Sequence, residues 1–326
     1  MKTPRSVEAL RHYQCQAIEH MLANPQAGLF LDMGLGKTAS ALTCLYELDR
    51  FGCGKALVVG PIRVIETVWR QEARLWEHTQ DLTFSLIRGS KAQRAAALEE
   101  DAKIYLVNPE HLQEVFELLG DRISSFETLV IDESSMFKNS TTKRFKALRQ
   151  SVKKFARRYI LTGTPTPNKL MELWPQIYLL DGGKRLGTSF YKFREQYFYT
   201  VDRYGYKWQP KPNAVEKIYA AIADLVLRMD AKDYLELPPV VFNRVEVQLP
   251  EQVMSVYRAV EDAAFAKLTD TTNISAMNVV GAMMKCRQIA NGVVYTHDHE
   301  GNQGIERMHS AKMDATKEII EGTGSR

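Results

Sequence analysis

Ala27-Gly28-Leu29-Phe30-Leu31-Asp32-Met33-Gly34-Leu35-Gly36-Lys37-Thr38 runs from an apolar segment through two glycines to a lysine and a threonine, and then into a stretch with Ala, Leu and Tyr at helical spacing up to Leu48. The apolar part reads as a buried strand and the part after Thr38 as a helix. A strand, a glycine-rich bend and a helix N-terminus converge several backbone N–H groups and the positive end of a helix dipole on one point, which is how a chain of phosphates is held. Lys37 supplies a cation between the β- and γ-phosphates, and the Thr38 hydroxyl a ligand for Mg²⁺. The strict pattern asks for glycine five residues before Gly36-Lys37, and here that residue is Leu31. The loop therefore needs support from elsewhere in the chain.

Working outward, short β-rich runs alternate with helical patterns as far as residue 180. Strands are expected at Gly28–Leu31, Lys55–Val59, Phe84–Ile87, Lys103–Val107, Thr128–Ile131 and Tyr159–Leu161, with amphipathic stretches at Ile65–Trp76, Lys91–Glu100 and Glu110–Leu119 between them. Connections of that length allow crossover helices, so the fold class is α/β with a doubly wound parallel sheet. Ligands in such sheets bind beyond the carboxyl ends of the strands. Lys37, Asp132-Glu133 and Thr162-Gly163-Thr164 all fall there. Leu129-Val130-Ile131-Asp132-Glu133 is an apolar strand ending in two carboxylates. Alone, such a pair is a helix cap or a solvated turn. Beside a phosphate loop, Asp132 holds Mg²⁺ through water and Glu133 orients or deprotonates the attacking water.

The 326 residues are 45% hydrophobic and 25% charged, with a net charge of +4, which is ordinary for a globular protein of about two domains. No apolar run approaches the ~18 residues that span a bilayer, and Met1-Lys2-Thr3-Pro4-Arg5 lacks the apolar core of a signal peptide. Cys15, Cys44, Cys53 and Cys286 are scattered, which fits reduced thiols and excludes a zinc-ribbon spacing. A soluble cytoplasmic monomer is expected. Lys138 to Arg158 holds nine basic residues and no acidic one, with Phe145, Leu148, Val152 and Phe155 as an apolar stripe. It reads as one amphipathic helix whose basic face meets either solvent or nucleic acid. Phe190 to Trp208 mixes nine aromatics with Lys192, Arg194, Arg203 and Lys207, suiting either a small helical core or base stacking. Arg203-Tyr204-Gly205-Tyr206 reads as a hairpin tip, Ala214–Leu227 and Glu251–Leu268 as helices, and Val240–Leu249 as a strand.

Taken together, these motifs resemble the first motor lobe of a Swi/Snf-type ATPase of helicase superfamily 2, a RecA-like lobe with a helical protrusion. Leu10-Arg11-His12-Tyr13-Gln14 is similar to the family's adenine-contact motif. Asp32–Thr38 resembles motif I, and Val58-Val59-Gly60-Pro61 with Trp69 and Glu72 resembles motif Ia. Asn108-Pro109-Glu110 looks like a nucleic-acid-contacting turn. Asp132-Glu133-Ser134-Ser135 with Phe137-Lys138-Asn139 resembles motif II and its tail. Leu161-Thr162-Gly163-Thr164-Pro165-Thr166-Pro167-Asn168, followed by Glu172-Leu173-Trp174, resembles motif III. Further on, Leu227-Arg228, Lys232-Asp233 with Leu235-Glu236-Leu237-Pro238-Pro239, Gln252 with Tyr257, and Cys286–Gly292 continue the likeness.

The resemblance implies ATP and Mg²⁺ as cofactors and double-stranded DNA as the partner. It makes Gln14 the adenine reader and Gly34, Leu35, Gly36, Lys37 and Thr38 the phosphate cradle. Asp132 and Glu133 become the hydrolytic carboxylates, and Thr162–Thr164 the coupling segment. Arg63, Asn108, Lys138 and Asn139 become candidate DNA contacts. The expected domains are a RecA-like lobe at 1–180, a protrusion at 181–236, a strand returning to the lobe at 237–250, a helical continuation at 251–309 and the start of a linker at 310–326. The chain departs from the family in two ways. Ser134-Ser135 stands where Ala-His is usual, and no Gln-x-x-Gly-Arg-x-x-Arg run supplies arginine fingers. The implied second lobe is therefore missing from these residues, and the lobe by itself is expected to hydrolyse ATP weakly or not at all. Compactness suggests a bacterial or phage source. The alternatives are a nucleotide- or DNA-binding regulatory module without hydrolysis, and an RNA helicase of the wider superfamily.

Overall fold

The computed structural model describes residues 3–166, 169–236, 241–269, 276–297 and 303–322. Pro167-Asn168 of the motif III segment, the Leu237-Pro238-Pro239 motif and Val240 lie outside the described residues, as do 323–326. Two compact units divide at 237/238.

The first unit is built on a parallel sheet of seven strands: β1 (Gln26–Leu31), β2 (Lys55–Val59), β3 (Phe84–Ile87), β4 (Ile104–Val107), β5 (Phe126–Asp132), β6 (Arg157–Thr162) and β9 (Val226–Met229), in the order β3-β4-β2-β5-β6-β1-β9. All six neighbouring pairs are parallel. The strands are buried on both faces, as a sheet covered by crossover helices must be. Alternation along each strand separates two apolar layers. Leu29, Leu31, Val58 and Val130 pack with α1 (His12–Ala23), α2 (Lys37–Arg50) and α3 (Trp69–Ala73). Phe30, Leu57, Val59, Leu129 and Ile131 pack on the other side with α4 (Lys91–Glu99), α5 (Leu112–Leu119), α6 (Lys143–Ser151) and α7 (Leu173–Asp181). The six strands read from sequence are all present, with ends shifted by at most two residues.

Four local expectations are corrected. The seventh strand, β9, occupies the end of what reads as a single helix over Ala214–Leu227. The helix there, α9 (Ala214–Ile222), stops, and Val226 pairs with Gly28. The bare α-carbon of Gly28 makes that possible, since a methyl group there would meet Val226 Cγ2 at 2.9 Å. Ile65–Trp76 is not one regular helix: a π-turn at Val64–Val68 feeds the short α3, and Trp76 lies in an extended bridge to Arg5. The basic segment is split as well. Phe145, Leu148, Val152 and Phe155 are buried as their spacing requires, but α6 ends at Ser151, and Arg157 and Arg158 belong to β6, where Arg158 is buried. Finally, residues 241–249 form no strand. Their backbone pairs with no described strand, and Val241 and Phe242 are 75% and 91% exposed. Alternation of apolar residues cannot make a strand without a ladder to join.

The aromatic segment divides between the two readings of it. α8 (Phe190–Tyr197) and the hairpin of β7 (Phe198–Thr200) and β8 (Trp208–Pro210) bury Phe193, Tyr197 and Phe198, while Tyr191, Tyr199, Tyr204 and Tyr206 remain exposed. In the second unit, α10 (Glu251–Thr269) packs on α11 (Ala276–Ala290), followed by a hairpin of β10 (Val293–His297) and β11 (Gln303–Arg307) and by α12 (Ala311–Gly322). The expected helical texture over 251–309 thus includes an unforeseen hairpin.

Because Phe145 is fully buried among Trp174 and Tyr178, Phe145→Ala should lower unfolding free energy by about 3–5 kcal/mol. Lys143→Ala, on the exposed first turn of the same helix, should change it by less than about 0.5 kcal/mol. Urea titration of the two variants checks the contrast.

Candidate nucleotide site

β1 ends at Leu31, and the chain turns through Gly34 (φ +86°) and Gly36 (φ +69°) before α2 begins at Lys37. Left-handed backbone at two positions turns the chain sharply from strand to helix, and glycine takes it without strain. Leu35 is fully buried and pins the loop to the core. The Asp32 carboxylate accepts from the Ala231 N–H at 2.9 Å, which ties the loop to the segment after β9. Leu31, the departure from the strict pattern, does no harm: its side chain belongs to the core, and its carbonyl accepts from Lys37 Nζ at 2.7 Å. Lys37 Nζ also donates to the Asp32 carbonyl at 3.1 Å.

Gln14 lies on this loop. Its Oε1 accepts from the Arg11 N–H at 2.9 Å, capping α1, and its Nε2 occupies the space a methyl group on Gly36 would need. A cleft of about 490 Å³ opens here, walled by Gln14, Gly34, Gly36, Lys37 and Thr38 on one side and by Arg5 and Trp76 on the other. Arg5 stacks over the Trp76 ring at 5.6 Å, and its backbone is stitched to Leu75 and Glu77.

The carboxylates arrive from β5, which is separated from β1 only by β6. Asp132 is nearly buried, and its Oδ2 accepts from Trp69 Nε1 at 2.8 Å. Glu133 has a left-handed backbone (φ +59°), a conformation that costs a non-glycine residue about 1–3 kcal/mol and clusters at functional sites. Its Oε1 accepts from Thr162 Oγ1 at 2.9 Å and from the Ser135 hydroxyl. Thr162 Oγ1 in turn accepts from the Thr164 N–H at 3.1 Å. Gly163 completes the closure: a methyl group on it would sit 3.3 Å from the Leu31 carbonyl and 3.6 Å from Lys37 Nζ. Motifs I, II and III thus meet around one ammonium group. Burial lowers the Lys37 pKa, and Glu133, Asp132 and Asp32 oppose that shift. Burial raises the Asp132 carboxyl above its usual range, against the bond from Trp69.

The serines that replace Ala-His are both engaged. Ser135 holds Glu133, and Ser134 Oγ donates to Gln176 Oε1 at 2.6 Å. Gln176 Nε2 donates onward to the Pro165 carbonyl at 2.6 Å and the Glu172 carbonyl at 2.9 Å. Neither Gln176 nor the Trp69–Asp132 bond was assigned a role by sequence reasoning. A lone polar residue inside Leu173-Trp174-Pro175-Gln176-Ile177-Tyr178 was the available signal for the first. The bond crosses 63 positions and had none.

The candidate DNA contacts fall in two places. Arg63, exposed, and Asn108, capping a 3₁₀ turn, follow the adjacent strands β2 and β4. Lys138 and Asn139 instead line a groove beside α6, with Lys138 Nζ 4.0 Å from Glu172 and Asn139 Oδ1 accepting from the Thr141 N–H at 2.9 Å.

A profile of the family described as SNF2-related domain matches residues 13–293. The chain belongs to the SNF2-related family. This SNF2-related chain is 34% identical over 325 residues to "Putative protein p41" of Acyrthosiphon pisum secondary endosymbiont phage 1, covering 96% of itself and 70% of that protein. It is 27% identical over 305 residues to chromodomain-helicase-DNA-binding protein 7 of Gallus gallus, but spans only 10% of that protein's length. Among solved structures it is similar to the Sulfolobus solfataricus SWI2/SNF2 ATPase core in complex with dsDNA, with TM-score 0.57 and 26% identity, over 98% of this chain and 66% of that one. The parallel sheet is therefore the RecA-like sheet of an SNF2-type ATPase domain. Among the described residues no helix is long and apolar enough to cross a membrane.

Two outcomes follow from the geometry. Gly36→Ala should abolish binding of a fluorescent ATP analogue, because the methyl group displaces Gln14 and the φ is unfavourable. Asp132→Asn keeps an acceptor for Trp69 and removes a carboxylate that burial penalises when ionised. A raised folded pKa means that ionisation destabilises the fold as pH rises. The variant should therefore melt higher than wild type at about pH 8, with the gap closing as pH falls toward about 4, where an unfolded aspartate also protonates. Melting curves across pH check the sign.

Proposed function

We propose that this chain is the ATP-binding first lobe of a DNA-dependent ATPase that moves along double-stranded DNA, hydrolysing ATP to ADP and phosphate once a second lobe completes the site. The single observation that carries the reading is the convergence on Lys37 Nζ: the loop carbonyls of Leu31 and Asp32, the Asp132-Glu133 pair and Gly163 all lie around it. A surface lysine has no need of such surroundings, whereas hydrolysis at a γ-phosphate needs a cation to meet its oxygens beside carboxylates that hold Mg²⁺ and activate water.

In this reading Gln14 and the Arg5–Trp76 wall receive the base, and the N–H groups from Gly34 to Thr38 receive the phosphates. Lys37 exchanges its bonds to the two carbonyls for bonds to phosphate oxygens. Thr38 and Asp132 are hard oxygen donors of the kind Mg²⁺ takes, and Trp69 holds the Asp132 carboxylate in place through Oδ2. The donor set fits, and the ion, when bound, would neutralise charge developing on the phosphates. Glu133 has Oε1 fixed by Thr162 and Ser135, which leaves Oε2 to accept a proton from water. That water's oxygen bonds to the γ-phosphorus as the bond to the bridging oxygen breaks, releasing ADP. The path from Glu133 through Thr162 to Thr164, and from Ser134 through Gln176 to Pro165, links the hydrolytic carboxylate to the segment that follows β6.

Among the described residues no arginine contacts Asp132 or Glu133, and the 326 residues contain no Gln-x-x-Gly-Arg-x-x-Arg run. Arginines of that kind contribute about 10³–10⁵ in rate. Double-stranded DNA is supported as the partner by the solved archaeal core, with Arg63 and Asn108 on adjacent strand ends as its contacts. The phage relative supports a phage or bacterial setting.

Glu133→Gln should retain ATP-analogue affinity within about twofold and lose single-turnover hydrolysis by at least about 10²-fold, measured in the presence of a separately supplied second lobe and duplex DNA. Lys37→Ala should lose both. Brisk DNA-stimulated hydrolysis by the 326 residues alone would contradict the need for a second lobe, and unaltered binding in Lys37→Ala would contradict the site.

A further inference from the structure

One surface is not absorbed by the nucleotide site. A groove of about 760 Å³ runs between α6 and α8, lined by the cations Lys138, Lys146, Arg149, Lys169 and Arg194 against the single carboxylate of Glu172. Two of the cations are held on aromatic faces. The Arg194 guanidinium lies 4.1 Å from the Trp208 ring and 5.3 Å from that of Tyr191, and Arg149 lies 4.7 Å from the Tyr178 ring. Among the described residues no carboxylate stands within ion-pair distance of Lys146, Arg149, Lys169 or Arg194. Arginines fixed this way keep their charge and lose little freedom when they meet an anion.

The Arg194 stack ties the groove to the β7–β8 hairpin through Trp208. Its Nε1 donates to the Gly205 carbonyl at 2.7 Å, folding the tip back against the Arg194 stack. Asp202 fixes the turn: its carboxylate accepts from the N–H groups of Tyr206 at 3.1 Å and Lys207 at 2.6 Å. The result is a rigid tip carrying Tyr204 and Tyr206, 80% and 82% exposed, with Tyr191 67% exposed at the groove. Tyr204 and Tyr206 contact each other, ring centroids 6.4 Å apart, and leave most of their surface to solvent.

We propose that this groove and hairpin tip form a binding surface for unpaired nucleic acid, separate from the duplex contacts at Arg63 and Asn108. The cations match a phosphodiester backbone, and the tyrosines match base faces. An acidic peptide would satisfy the cations but gain nothing from the rings, whose negative faces repel carboxylates. A duplex would also satisfy the cations, but its bases are stacked on one another. Only an unpaired strand uses both. The inference rests on the reading of the chain as a nucleic-acid-handling protein and adds a second substrate class to it.

The test is fluorescence anisotropy on the whole chain with a labelled oligo(dT) and, separately, a labelled blunt duplex. Wild type should bind oligo(dT). Tyr204→Ser/Tyr206→Ser should weaken oligo(dT) binding at least roughly fivefold, the low end of what a base stack contributes, and leave duplex binding unchanged. Lys146→Glu/Lys169→Glu should weaken oligo(dT) binding by at least about tenfold at low salt. All four positions are exposed, and unchanged ATP-analogue binding verifies folding. Duplex binding without oligo(dT) binding would overturn this inference and leave the proposed function standing. Failure to bind either would undo both. Oligo(dT) binding indifferent to the tyrosines, or competed equally well by poly-glutamate, would show an unspecific cationic surface and overturn the inference.

Discussion

The site depends on the parallel register of three neighbouring strands. Phe30 of β1 pairs with Thr162 of β6, and Asp132 of β5 pairs with Leu161. Strands that run the same way and end level must deliver their following residues to one edge. The phosphate loop, the carboxylate pair and the Thr-Gly-Thr turn therefore emerge side by side, although 130 positions separate Asp32 from Thr162. The two apolar layers that cover the sheet are what hold that register, since a slip of one residue would turn every buried side chain to the wrong face. Packing far from the cleft thus fixes distances within it.

The same burial makes the site unfavourable to keep. Lys37 and Asp132 both carry pKa shifts that oppose their charged forms, and Glu133 sits in left-handed backbone. Each of these would be relieved by substitution, so stability alone does not select them. They are compensated locally: Trp69 donates to Asp132, Thr162 and Ser135 donate to Glu133, and the loop carbonyls accept from Lys37. The family's Ala-His is replaced here by Ser134 and Ser135, each of which makes a short polar contact. Ser134 reaches motif III through Gln176, a route built from this chain's own residues.

Much of this was legible in the sequence because it is local. The strands of the sheet announce themselves as apolar runs with helical patterns between them, and Gly34 and Gly36 mark a turn only glycine makes easily. What was not legible depends on partners distant in sequence. β9 is four residues long, follows directly on a helical pattern and exists because Gly28 leaves room for Val226. Val240–Leu249 has the alternation of a strand, yet its described residues pair with none, and alternation carries no information about whether an edge is available. The basic segment overstated its helix because the strand β6 begins inside it, burying Arg158. The bonds from Trp69 to Asp132 and from Gln176 to Pro165 need the assembled fold before they can be seen.

The central claim is that one ammonium group, Lys37 Nζ, organises a triphosphate site at the edge of this sheet. A crystal structure of the chain with Mg²⁺ and a non-hydrolysable ATP analogue tests it most directly. The account predicts that Nζ leaves the carbonyls of Leu31 and Asp32 for the β- and γ-phosphate oxygens, with the base against Gln14 and Glu133 facing the γ-phosphate. Nucleotide bound elsewhere, or bound here with Lys37 still on the two carbonyls, would contradict it.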